Sequence, residues 1–362
     1  MKNTLGENVR VTLFGESHGE AIGTCIDGLP AGIKVDLDFI NNLLTLRRPV
    51  GAISTARKEQ DEFKFVSGVY EGFTTGAPIC ILIPNKDTKS KDYDNLKYLV
   101  RPSHADFTAS IKYGGFEDKR GGGHFSGRLT AALVAAAGIV IPALNKKGIY
   151  IGTHLSRCAG VDDRNFENLE QDIKTLSTLT FAALDEEQGA KMQESIKKAA
   201  GDNDSVGGIL ETAVIGLPQG LGEPWFSSIE GVLSNAIFSI PGIKGIEFGA
   251  GFSVCDMKGS CANDPFDIVD GKVVTTTNNS GGINGGITNG MPVIFRSAVK
   301  PTPTISKPQQ TVNISTNTVE TLIATGRHDP CIAHRVRVVV DAVTALTLCD
   351  ILTQKYGTDW LV

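Results

Sequence analysis

Short apolar runs separated by Gly-rich turns fill the first third of the chain. Val9–Phe14, Lys64–Val69 and Pro78–Pro84 read as strands, and Leu37–Leu46 reads as a helix leading into Arg47-Arg48-Pro49. Asn85–Lys97 is polar and without apolar period, so it is expected as a surface loop. Gly127–Leu144 is Ala-rich and long enough for a buried helix, with Ser126 at its N-cap directly after Gly121-Gly122-Gly123. Asp162–Ala200 is more polar and carries helical periodicity around Leu176–Leu184 and Lys191–Ala199. Gly207–Ile215 reads as a strand, short strands and Gly turns dominate 230–305, and Val339–Leu352 is a last apolar helix. There is no repeat in the 20–50 residue range and no linker-like stretch. The pattern therefore predicts one compact α+β domain over residues 1–362.

Composition changes this picture little. With 41% hydrophobic and 21% charged residues, the chain is ordinarily globular, neither disordered nor fibrous. Glycine is high, at 41 of 362 residues, which points to tight turns or to backbone lying against a ligand. The 35 basic and 40 acidic residues leave a net charge of −5, which argues against nucleic acid as a partner. No apolar run is read as reaching the ~18 residues of a membrane span, and the N-terminus lacks the apolar core of a signal peptide. The seven cysteines are scattered without a C-x-x-C, so neither a disulfide framework nor a zinc site is expected. These features together predict a cytoplasmic protein.

The candidate chemistry lies in a few turns. His18 sits in Gly15-Glu16-Ser17-His18-Gly19-Glu20 after a strand, where an imidazole of pKa ~6.5 suits proton transfer. His104 lies in Arg101-Pro102-Ser103-His104-Ala105-Asp106, and Asp329 in Arg327-His328-Asp329-Pro330-Cys331. Each alone is as well explained by a structural turn or a surface ion pair. The Gly121–Gly123 run opens a helix, and exposed N–H groups there suit an anion. Asn279–Ile287 allows close approach to a flat or phosphorylated ligand, yet neither run is a Walker A loop or a dinucleotide fingerprint. Lys300-Pro301-Thr302-Pro303-Thr304, near Arg296, offers a lysine and two hydroxyls on a stiff segment. Arg47, Arg48, Arg57, Lys58, Arg101, Arg128, Arg327 and Arg335 complete a basic set suited to a small, multiply anionic ligand.

Taken in order, GESHGEAIGTCIDGLPAG, SGVYEGFTTGAPI, RPSHADFT, KYGGFEDKRGGG, GLGEP, GGINGGITNGMPVIFR, KPTPTI and GRHDPC resemble the chorismate synthase family from residue 6 to about 350. The resemblance implies an α+β fold with β-sheets sandwiched between helices, a β-α-β sandwich. It implies a homotetramer with bound reduced FMN. The implied activity is that of a lyase removing phosphate from 5-enolpyruvylshikimate 3-phosphate by anti-1,4-elimination to give chorismate. By the same resemblance, His18 is the acid near the leaving phosphate, His104 stabilises anionic reduced flavin, and Asp329 is the carboxylate near flavin N5. Arg48, Arg101, Arg128 and Arg327 are the implied substrate clamps. Ser126, Gly285, Lys300, Pro301, Thr302, Pro303, Thr304 and Arg327 fall on flavin positions.

Four stretches depart from the family pattern. His124 and Phe125 replace a flavin-contacting Arg and Ser, and Pro241-Gly242 replace an Asn-Ala pair. The stretch between Arg48 and Arg57 is one residue short and has Ile53, and Asp341 stands where Glu is usual. These losses motivate a rival reading, a non-catalytic relative that binds flavin or another anion; retention of His18, His104 and Asp329 argues against it. A metal hydrolase is a second rival, but no HxxxH or HxH spacing supports a metal site. No nicotinamide motif is present, so an external flavin reductant, such as one driven by NADPH, is the expected partner.

Overall fold

A computed structural model of the chain describes residues 2–49, 51–55, 60–86, 98–324 and 328–362. Two five-stranded antiparallel sheets enclose a layer of helices. The first sheet runs Thr4–Leu5, Arg10–Gly15, Ala21–Asp27, Ile79–Pro84 and Lys64–Ser67 in spatial order. The second runs Val161–Asp162, Tyr150–Cys158, Gly208–Ile215, Val293–Val299 and Ile243–Phe248. Between them lie the helices Leu37–Arg47, Thr130–Lys146 and Ala333–Tyr356, the last two packed on each other. Gly138 lets the first two meet, since a Cβ there would stand 2.6 Å from Ile40. This is the expected β-α-β sandwich, and one hydrophobic core of both sheets' inner faces and the helices joins it.

The second sheet is covered on both faces. Thr153 Oγ1 donates to Asp341 on the final helix at 2.6 Å, while the neighbouring Gly152 packs against Ile173 of helix Leu169–Leu176. Adjacent strand residues point to opposite faces, so the two helices flank the sheet. On the Gly152 side, His154 is buried between two carboxylates, with Nδ1 at 2.8 Å from Asp163 and Nε2 at 3.0 Å from Glu211. Burial disfavours its charge, but the bonds to Asp163 and Glu211 outweigh this and raise its pKa above the usual value. The resulting stability is therefore full below pH ~6.5 and is lost as pH rises through the raised value. Melting temperature should fall over that window in the parent protein and stay flat in His154→Gln, measured against pH by calorimetry.

Several predicted elements shift. The strand expected over Lys64–Val69 breaks at Gly68 (φ +83°), so Val69–Tyr70 joins a separate three-stranded sheet. Helical periodicity at Leu176–Leu184 does not form a helix. Asn168 caps the helix early through Gln171 N–H, and the Leu184 and Asp185 N–H groups bond to Asp163. Within 230–305 a helix, Ile229–Phe238, starts at a Ser228 cap. Gly127–Leu129 is a tighter turn capped by Ser126, and the α-helix begins at Thr130. Contrary to the sequence reading, Gly127–Lys146 is long and apolar enough to cross a bilayer; it is mostly buried as the central helix instead. Residues 87–97 of the expected loop lie outside the described residues.

Candidate functional site

A cavity of about 850 Å³, at the upper end of the range for ligand sites, is lined by the first sheet's edge, the last helix, and the segments around Phe238–Ile243 and Lys300–Thr304 beside the second sheet. Its wall includes all three predicted catalytic side chains, His18, His104 and Asp329. They come from a strand end, a turn before helix Asp106–Tyr113, and the approach to the last helix.

His18 is held on two sides. Its Nδ1 lies 3.0 Å from the Ser17 hydroxyl. Gly121, in the left-handed region at φ +63°, lies against the ring, and a Cβ there would come 2.4 Å from His18 Cε1. The Gly121 carbonyl accepts from Arg101 Nη2 at 2.6 Å. Arg101 also grips Asp106 through Nε and Nη2, both at 2.7 Å, and His104 Nδ1 lies 2.6 Å from the same carboxylate. Burial opposes the charge on Asp106, yet the bonds from Arg101 and His104 hold its pKa far below the carboxylate range. Arg101, expected to clamp substrate, thus spends much of its fork on Asp106 and Gly121.

The buried carboxylate of Asp61 also lines the cavity and sits between two arginines. Arg128 Nη1 pairs with its Oδ1, and Arg47 Nη1 lies 3.4 Å from its Oδ2. Arg47 lines the cavity, whereas Arg48 ends the helix, donates to the Gln60 carbonyl and lies off the wall. At 100° per residue, one step of helix decides which arginine faces in.

In the sequence Asp329 is flanked by Arg327 and His328. Arg327 lies outside the described residues, and His328 Nε2 pairs with the Ala324 carbonyl at 3.0 Å. The partner is Arg335, whose Nη1 is 2.5 Å from Asp329 Oδ2. Burial pushes the Asp329 pKa up, and Arg335 with nearby backbone N–H groups of Cys331 and Thr55 opposes that.

The proposed flavin positions divide. His124, Phe125, Ser126, Pro241 and Gly242 line the cavity, as do Lys300, Thr302, Pro303 and Thr304. Pro301 does not, and Gly285 sits exposed at the tip of the hairpin Ile283–Thr288. His124 Nδ1 bonds to the Gly15 carbonyl at 2.8 Å, and Phe125 meets Tyr113 edge-on at 6.1 Å. The two substitutions therefore form an aromatic wall. Thr302 Oγ1 is buried with no partner among the described residues, as expected of a group meant for a polar ligand. Lys300 donates to the Ser103 carbonyl at 2.6 Å; burial and the neighbouring Lys244 lower its pKa. Arg296, singled out in the sequence, pairs with Glu247 at 2.8 Å and lies off the wall.

Sequence reasoning gave no role to Asp61 or Asp106, and it placed Arg335 only in the basic set suited to an anionic ligand, not as the partner of Asp329. The available signal for Asp106 was its spacing, two residues after His104 and five after Arg101. Among the described residues, no three His, Cys, Asp or Glu side chains converge as a metal site.

Comparison with known proteins matches residues 9–353 to the chorismate synthase family model. A chorismate synthase of Chitinophaga pinensis is 47% identical over 352 residues, covering 97% of this chain and 96% of that protein. One from Dehalococcoides mccartyi is 44% identical over 354 residues, with the same coverage. One from Thermococcus kodakarensis is 42% identical over 357 residues, covering 99% of both. A crystal structure of a chorismate synthase superposes with a TM-score of 0.74 at 28% identity, covering 97% of this chain and 94% of that one.

Proposed function

This chain belongs to the chorismate synthase family of lyases, and from that premise we propose that it eliminates phosphate from 5-enolpyruvylshikimate 3-phosphate in an anti-1,4 sense, giving chorismate with reduced FMN bound. The observation that carries the reading is one cavity lined by His18, His104 and Asp329 together with Arg47, Arg128, Arg335 and Lys300. A ligand with two carboxylates and a phosphate needs such a cationic wall, and guanidinium forks bind those groups bidentately. The Thr302 hydroxyl, buried without a partner among the described residues, fits the flavin together with Pro303, Thr304, Pro241 and Gly242. When bound, reduced FMN supplies an electron transiently to C–O cleavage and regains it, so the reaction has no net redox change.

The protein's own part is binding, orientation and proton transfer. His18, oriented by Ser17 and Gly121, holds the proton for the departing phosphate. Arg47 and Arg128 hold the substrate's anionic groups, with Asp61 keeping both forks in place. Asp329, buried and therefore more basic than an exposed carboxylate, accepts the ring proton and is kept ionised by Arg335. His104, on the cavity wall, would stabilise the flavin's anionic edge. The enzyme works as a cytoplasmic homotetramer with its flavin kept reduced by an external reductant. Assembly is supported by the exposed apolar face of the hairpin Phe266–Thr275, where Phe266, Ile268 and Val273 share one side.

FMN titration tests the pocket. Oxidised FMN should bind the full-length protein and bind more tightly with substrate present, read by flavin fluorescence. Failure to bind in both conditions would favour the non-catalytic relative, its pocket closed by His124 and Phe125.

A further inference from the structure

We propose that Asp106 is a positioning residue that acts through His104, fixing the proton on Nδ1 so that Nε2 is the ring nitrogen presented to the ligand. The claim rests on the reading of His104 as a flavin-facing group. Three observations carry it. Asp106 Oδ1 lies 2.6 Å from His104 Nδ1, a distance that requires a proton between them. The carboxylate is itself locked, because Arg101 spans both its oxygens and its Oδ2 also accepts the Arg101 backbone N–H at 3.0 Å. Being ionised, Asp106 can only accept, so the shared hydrogen belongs to His104. Arg101 Nη2, 3.1 Å from Nδ1, is a donor and cannot supply an alternative acceptor for that proton.

Charged neighbours do not compete for this bond. Lys300 reaches the Ser103 carbonyl rather than the ring, and Lys119 pairs with Glu117 at 3.7 Å. A carboxylate that sets a catalytic imidazole's tautomer is a recurrent device, and replacing it by the amide inverts the tautomer while keeping shape. Asp106→Asn would keep an oxygen for Arg101 and turn an amide N–H toward Nδ1, moving the ring proton to Nε2.

The test uses full-length, flavin-free protein labelled with ¹⁵N-histidine, with His104 assigned from the spectrum of His104→Ala. In the parent protein His104 should carry hydrogen on Nδ1; in Asp106→Asn that signal should disappear and Nε2 should be protonated. A bare Nδ1 in the parent protein, or an Nδ1–H that survives in Asp106→Asn, overturns the proposal, and the first of these does not depend on Asp106→Asn folding. With reduced FMN and substrate, Asp106→Asn should lose turnover on the order of 10²-fold with KM little changed. It should add no further loss in a His104→Ala background. A further loss there would show that Asp106 acts other than through His104. Failure of the parent protein to bind FMN would instead strike the flavin reading, leaving the NMR result to stand on its own.

Discussion

Replacing His18 by alanine is expected to lower turnover on the order of 10²–10⁴-fold, the range for losing a general acid. That corresponds to about 3–5 kcal/mol of transition-state stabilisation. FMN affinity and KM should change little, because the imidazole is assigned to the leaving group and the arginines to binding. The physical basis is orientation. The Ser17 hydroxyl at 3.0 Å and the side-chain-free surface of Gly121 hold the ring in one pose on the cavity wall. Steady-state assays of the variant decide the matter: near-normal turnover would reduce His18 to a structural turn residue.

Asp329→Asn should be the second large loss. The amide keeps the shape and an acceptor for Arg335 but removes basicity, so substrate should still bind while turnover falls on the order of 10²-fold or more. Burial makes this carboxylate a stronger base than an exposed one, and Arg335 at 2.5 Å supplies the charge that keeps it ionised. Neutralising it leaves a half-buried guanidinium without its counter-ion, so the melting temperature should also fall by a few degrees, about 1–3 kcal/mol of stability. The measurements are kcat, KM and calorimetry on one preparation. Normal kcat with only the stability loss would make Asp329 a structural partner of Arg335.

Much of this arrangement could be read from the chain, and the failures have definite causes. The strand near Val9–Phe14 was visible because alternation and a closing glycine both mark it, and it forms as Arg10–Gly15. The central helix was visible from its alanines, yet the same composition hid that it could pass for a membrane span. The helix Ile229–Phe238 was masked by glycine-rich neighbours, with Ser228 as its only strong start signal. Site residues in turns were legible because glycine, histidine and proline together are unusual. Partners were not, since they are set by tertiary packing: Asp61 lies in a polar run, yet the fold buries it and pairs it with two arginines. Likewise Arg335, rather than the adjacent His328, reaches Asp329 because the last helix turns it back toward that carboxylate.

The most direct measurement is phosphate release from 5-enolpyruvylshikimate 3-phosphate under anaerobic conditions, with chorismate followed in parallel. With chemically reduced FMN, phosphate and chorismate should appear in equal amounts without net flavin oxidation, and addition of NADPH should be unnecessary. With oxidised FMN alone, neither should appear. Absence of phosphate release with reduced FMN, from protein shown to be folded, would contradict the assignment of this cavity to the elimination.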